Sequence, residues 1–183
     1  MGNGLARLFL AIPLDGFARH DIARLLEEGA GQLPGRVVRP DNWHLTLRFL
    51  GDVDPVACDR SVAAVDQADL GEGFDLRFGG LGAFPRPAKA TVLWLGIDRG
   101  ADRAAQLAAE VEEAVVDAGL PPEDRPFRAH LTLSRIRPPR DVGRLLESVA
   151  PLDVRMAVER IVLYRSHLGR GGARYEEVEE FTL

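Results

Sequence analysis

The sequence holds one cysteine, Cys58, among 183 residues, so an intramolecular disulfide is excluded and a reducing compartment such as the cytoplasm is expected. Positive charge is also short: 23 basic residues face 28 acidic ones, for a formal net charge of −5. That balance argues against a protein that grips long nucleic acid through bulk electrostatics. Local phosphate recognition stays open, because every cation except Lys89 is arginine, whose planar guanidinium makes paired contacts with phosphate oxygens. Long hydrophobic runs are missing. The longest, Leu8 to Leu14, is far too short to cross a bilayer, and Asp15 follows it with no small-residue cleavage pattern. Neither a membrane span nor a signal peptide is therefore expected. No H-x-x-x-H, C-x-x-C or clustered carboxylates offer a metal site, and there is no P-loop, so no metal and no cofactor is expected.

What is present suits a folded chain, with 46% hydrophobic and 28% charged residues. Arg7 to Pro13 reads as a buried strand. Asp15 to Gln32 carries Phe17, Ile22, Leu25 and Leu26 among charges and reads as an amphipathic helix. Asp54 and Pro55 cap and open a second helix running to about Leu70, and an alanine-rich helix ends at Gly119. Strands are expected at Trp43–Gly51, Phe74–Phe78, Thr91–Ile97 and Phe127–Ile136. A short helix over Asp141–Val149 and strands near Leu152–Met156, Arg160–Ser166 and Tyr175–Leu183 complete the pattern. The segment GGLGAFPRPAK reads as turn-rich.

The tetrapeptide HLTL occurs twice, at residues 44–47 and 130–133. The offset of 86 is close to half the chain and suggests a duplicated unit rather than a solenoid. Side chains alternate faces along a strand. Trp43, Leu45, Leu47 and Phe49 therefore share an apolar face, and His44, Thr46 and Arg48 share the other. In the second copy, Leu131 and Leu133 oppose His130, Thr132 and Ser134. Two such strands facing each other would line a groove with two His–Thr pairs. Displacement at phosphorus uses a base beside the attacking oxygen and an acid beside the departing one. Imidazole serves either role near neutrality, and threonine hydroxyls can donate to phosphate oxygens.

RPDNWHLTLRFLG and FRAHLTLSR, with RLFLAIPL, GAFPRPAKATVLWLG and SHLGRGGARYEEVEEFTL, resemble the signature blocks of the two-histidine phosphoesterases, specifically the LigT-like RNA 2′,3′-cyclic phosphodiesterases. One departure is Ala129, where that family often has proline. The resemblance implies an α+β fold of two pseudo-symmetric lobes, each an antiparallel sheet with helices on its outer side. The whole chain, 1–183, would form one bilobal domain with the active-site groove between the lobes. It also implies hydrolysis of a 2′,3′-cyclic phosphate end to a 2′-phosphate, with reverse 2′–5′ joining of RNA ends by the same site. His44 is then the proton donor, His130 the base, and Thr46 and Thr132 the phosphate-holding hydroxyls. The two histidines look symmetric in sequence, so physics alone does not order their roles.

Further substrate contacts are weighed at Arg128, Arg135, Phe84 and Trp43. Arg128 has groove parity. Arg135 has the opposite parity unless the strand bulges, and is supported by the family's arginine after the second motif. Arg48 has groove parity but sits toward the rim. Phe84 and Trp43 offer rings for stacking on a nucleobase, while the parity of Trp43 with Leu45 favours the core. His20 is expected in solvent, His167 on a hairpin, and Cys58 inert. The expected partners are RNA or oligonucleotide ends bearing a cyclic phosphate and small nucleotides, with the protein a cytoplasmic monomer. Rival readings are a related enzyme acting on another phosphodiester, such as a 2′–5′ oligonucleotide, and a non-catalytic module that binds RNA ends.

Overall fold

The computed structural model describes residues 4–169 and 172–183. In chain order the elements are β1 (Ala6–Pro13), α1 (Gly16–Ala30), β2 (Arg36–Val37), β3 (His44–Val53), α2 (Pro55–Gln67), β4 (Phe74–Phe84), β5 (Ala90–Arg99), α3 (Ala101–Asp117), β6 (His130–Arg140), α4 (Gly143–Ser148), β7 (Val154–Val158), β8 (Arg160–Gly169) and β9 (Gly172–Thr182). Short 3-10 turns at Pro40–Asn42 and Pro87–Lys89 lead into β3 and β5. The strands form two antiparallel sheets, ordered β3-β1-β8-β9 and β2-β6-β5-β4-β7, in an α+β fold.

Local chemistry starts the helices where the sequence signals them. The Asp15 carboxylate accepts from the Ala18 amide at 2.6 Å and caps α1, and Asp54 accepts from Ala57 at 2.9 Å ahead of Pro55 in α2. The buried face of α1 is Ala18, Ile22 and Leu26, spaced four apart. Phe17, expected on that face, lies one residue out of phase, about 100° around the helix, and is 88% exposed.

The sheets do not form one from each half of the chain. β1 pairs with β8, and β5 pairs with β4, so each sheet takes strands from both halves. Exchange of the neighbouring strand ties both sheets into one apolar core, which joins Leu10, Leu45 and Leu163 with Leu76, Leu93 and Leu131 and with Leu107 and Val111 of α3. Helices α2 and α3 pack on each other and α3 against β3, while α1 packs against β7 and α4.

β4 and β6 depart furthest from their expected spans. β4 continues past Phe78 to Phe84, with an irregular register between Phe78 and Leu81 that the Gly79–Gly80 pair accommodates. β6 begins at His130 and reaches Arg140, with Pro138 and Pro139 lying between its paired residues Arg135 and Arg140. The two-residue β2 carried no periodic signal. It forms because Gly35, at φ 80°, lets the chain approach β6 so closely that a Cβ there would lie 2.5 Å from the Arg135 carbonyl oxygen.

Candidate active site

His44 and His130 open β3 and β6, and each strand alternates in the same way. His44 and Thr46 are partly exposed between buried Leu45 and Leu47, and His130 and Thr132 are partly exposed between buried Leu131 and Leu133. The leucines anchor each strand in the core, which turns the His–Thr pairs to the opposite face. The two strands, one in each sheet, lie close to each other.

Each imidazole is held in the same way. His44 Nδ1 lies 2.8 Å from the Asn42 carbonyl oxygen, and His130 Nδ1 lies 2.7 Å from that of Arg128. A carbonyl only accepts, so Nδ1 carries the proton in both rings and Nε2 is left for chemistry. Asn42 does more than accept, since its side-chain amide donates to the Ala173 carbonyl on β9 at 2.8 Å.

Aromatic rings bracket both histidines. Phe9 lies 4.8 Å from His44 and Tyr175 meets it edge-on at 5.1 Å, with Tyr164 at 6.2 Å. Phe9, Ala11, Val162 and Tyr164 form a small apolar cluster apart from the main core. Around His130, Phe84 is edge-on at 5.1 Å and Trp94 lies at 6.2 Å. A recess of about 520 Å³ adjoins His130, lined by Phe84, Trp94, Phe127 and Arg128 among others. The Trp94 ring lies where a Cβ on Gly82 would be, at 2.2 Å, so only glycine there admits it. A larger recess of about 680 Å³, around α4, has neither histidine in its lining.

Electrostatics favour neutral rings. Burial, with smaller contributions from the Arg135 and His130 charges, pulls His44 down to about 4, although its hydrogen bond to Asn42 opposes this. His130 is lowered too, by burial first and by Arg135 as well. Burial raises Tyr175, and burial with the Glu177 charge pushes Tyr164 up to about 12, so both phenols stay protonated.

Arg135 stands on the same face as His130 and Thr132, and its charge contributes to the lowering of both histidines. A bulge puts it there. Leu93 pairs with Ser134 and Trp94 with Thr132, so Leu133 is an extra residue and the alternation inverts beyond it. The first strand does the same, because Leu10 pairs with Arg48 and Ala11 with Thr46, leaving Leu47 as the extra residue. Inversion turns Arg48 inward, contrary to its expected groove position. Arg48 is 8% exposed and bonds to the Glu112 carboxylate and to the Phe49 and Pro121 carbonyls.

The other expected contacts divide. Phe84 sits at the recess, at the end of β4 rather than in a loop. Arg128 lies before β6 with an exposed side chain, and its carbonyl makes the contact to His130. Trp43 is corrected as a substrate contact: it is 5% exposed in the core, and its indole N–H donates to the Val38 carbonyl at 3.1 Å. His20 is exposed, and His167 lies on β8 with Nε2 2.6 Å from Glu176. The turn expected after His167 includes residues 170 and 171, which fall outside the described residues. Burial and the Asp59 charge raise the Cys58 thiol, which keeps it protonated. Among the described residues, no group of three or more His, Cys, Asp or Glu side chains is placed to hold a metal ion, and no helix is long and apolar enough to cross a membrane.

Asn42, Phe9, Trp94, Tyr164 and Tyr175 were not legible as site residues. Phe9, Trp94, Tyr164 and Tyr175 reach the histidines from other strands, and no spacing links them in sequence, whereas Asn42 lies two residues before His44 and acts through its backbone carbonyl.

Two antiparallel sheets in an α+β fold, with a repeated His–Thr strand in each, are the frame in which the comparisons with known proteins agree. The chain belongs to the LigT-like phosphoesterase family, whose model matches residues 19–94 and again 95–175, and it is an enzyme. It is 35% identical over 155 residues to an RNA 2′,3′-cyclic phosphodiesterase of Aeropyrum pernix, covering 81% of this chain and 86% of that one. A Methanothermobacter thermautotrophicus protein of the same name is 32% identical over 185 residues, covering 97% and 98%. The fold matches the crystal structure of E. coli LigT complexed with 3′-AMP at a TM-score of 0.79 and 29% identity, over 98% of each chain.

Proposed function

We infer that this enzyme hydrolyses 2′,3′-cyclic phosphate ends of RNA or small nucleotides to 2′-phosphates. The observation that carries the reading is the matched pair of imidazoles, each with Nδ1 fixed on a backbone carbonyl and both within the field of Arg135. The names of the relatives support the same substrate class.

His130 Nε2 takes a proton from water as its oxygen bonds to phosphorus. The P–O3′ bond breaks, and His44 Nε2–H delivers its proton to O3′, leaving a 2′-phosphate and a free 3′-hydroxyl. The order of the two roles rests on the family resemblance. Thr46 and Thr132 donate to the non-bridging oxygens, and Arg135 balances the charge that develops there. An empty groove keeps His44 neutral. The bound phosphate anion, in contact with the ring, favours its imidazolium form and so arms the acid. Two imidazoles supply both proton transfers, so the step is written without a metal. The recess by Phe84 and Trp94 suits a nucleobase.

With a 5′-hydroxyl in place of water, the same step forms a P–O5′ bond as P–O3′ breaks and O3′ takes the proton, which yields a 2′–5′ linkage. The internal duplication is supported by the two successive matches of one family model. A monomer suffices, because both histidine strands come from one chain, and the single cysteine suits the cytoplasm.

The test is turnover of an oligonucleotide ending in a 2′,3′-cyclic phosphate, in EDTA, with the product phosphate located on the 2′ or 3′ oxygen. A 2′-phosphate in EDTA is expected, with losses of at least about a hundredfold in both His44→Ala and His130→Ala. EDTA-sensitive turnover, or unchanged turnover in either variant, refutes the mechanism.

A further inference from the structure

Arg36 on β2 pairs directly with Arg135 on β6. Directly opposed residues of an antiparallel pair share a face, so the Arg36 side chain stands on the groove side with Arg135. Like charges so placed repel, and among the described residues neither guanidinium has a carboxylate in ion-pairing distance. β2 spans two residues and is held close to β6 by the left-handed Gly35. On the other side, a methyl group on Gly172 of β9 would come within 2.5 Å of Arg36 Nη2, so Arg36 reaches the hairpin of the opposite sheet. The position is one-sided, because β3 is the bare edge of its sheet whereas β6 is covered by β2.

Two adjacent guanidiniums without counterions suit two phosphates better than one. In the reading above, Arg135 balances the charge at the reacting phosphate. A strand that ends in a cyclic phosphate carries its next phosphate only on the 5′ side. We propose that Arg36 binds the phosphodiester on the 5′ side of the terminal nucleotide, and so makes the enzyme select an RNA strand over a cyclic mononucleotide. This rests on the cyclic-phosphate reading above.

The experiment compares wild type and Arg36→Ala on three substrates: a nucleoside 2′,3′-cyclic phosphate, a dinucleotide ending in that group, and the same dinucleotide with an uncharged methylphosphonate linkage. The expected result is that Arg36→Ala lowers the ratio of kcat/KM for dinucleotide over mononucleotide about tenfold. The uncharged linkage lowers it similarly in wild type, and the two losses do not add. Arg36→Lys restores part of the preference, and the slope of log KM against log salt for the dinucleotide falls by about 0.7 in Arg36→Ala. Equal loss on all three substrates, or no change on any, overturns the proposal while leaving the activity intact. A wild type inactive on every substrate overturns the activity reading and this inference with it.

Discussion

Asn42 and His44 are joined twice over: by chain and by the 2.8 Å contact of the His44 Nδ1 with the Asn42 carbonyl oxygen. The Asn42 side chain meanwhile donates to Ala173 on β9, the other edge strand of the sheet that carries β3, so the carbonyl that aims the imidazole is itself anchored. Asn42→Ala keeps the carbonyl and loses the anchor. It should lower kcat about tenfold, with KM little changed, because aim rather than affinity is lost. A rise in KM alone, in steady-state kinetics on the cyclic-phosphate dinucleotide, would contradict this.

Arg135 lowers both histidines in the free enzyme, although burial is the larger cause. The working state needs one ring protonated and one neutral, so the bell of kcat/KM against pH should be centred below the ordinary histidine value of 6.5. Arg135→Gln removes a charge that disfavours imidazolium and should move the bell to higher pH while raising KM. A profile unmoved by the substitution would place Arg135 away from both rings.

The same burial of His44 makes folding stability depend on pH. Its value is about 4 in the folded protein, against 6.5 for the exposed side chain. Between these values the unfolded chain binds the extra proton, so stability falls as pH drops from 6.5 through 4, by up to about 3 kcal/mol from this group. His130 acts in the same direction. Urea midpoints at pH 7 and pH 4.5 should therefore lie closer together in His44→Gln than in wild type, and an equal separation would refute the assignment.

Arg48 ties β3 to α3 through Glu112 and to the following loop through the Pro121 carbonyl. Glu112→Ala leaves a guanidinium only 8% exposed without its carboxylate. Because Glu112 is itself 28% exposed, the expected loss is about 2–3 kcal/mol by denaturant unfolding, below the range for fully buried pairs. Arg48→Met, which removes the charge, should cost less than Glu112→Ala. The reverse order would show that the pair does not carry a desolvation penalty.

The sequence by itself determined the paired strands, their inward leucines, the outward His44, Thr46, His130 and Thr132, and the capped start of α2. These follow from neighbours one to four residues apart, through alternation and capping, which are local rules. It did not determine Arg48 and Arg135, because one extra residue, Leu47 or Leu133, inverts alternation, and a bulge is set by pairing with β1 or β5. Nor did it show Phe9, Tyr164, Tyr175 and Trp94 around the histidines, or Arg36 opposite Arg135. Those depend on which strand lies beside which, and the exchange of β4 and β8 between the sheets is a long-range choice made by burial of one shared core. Local chemistry wrote the two histidines into the chain, and tertiary packing decided what surrounds them.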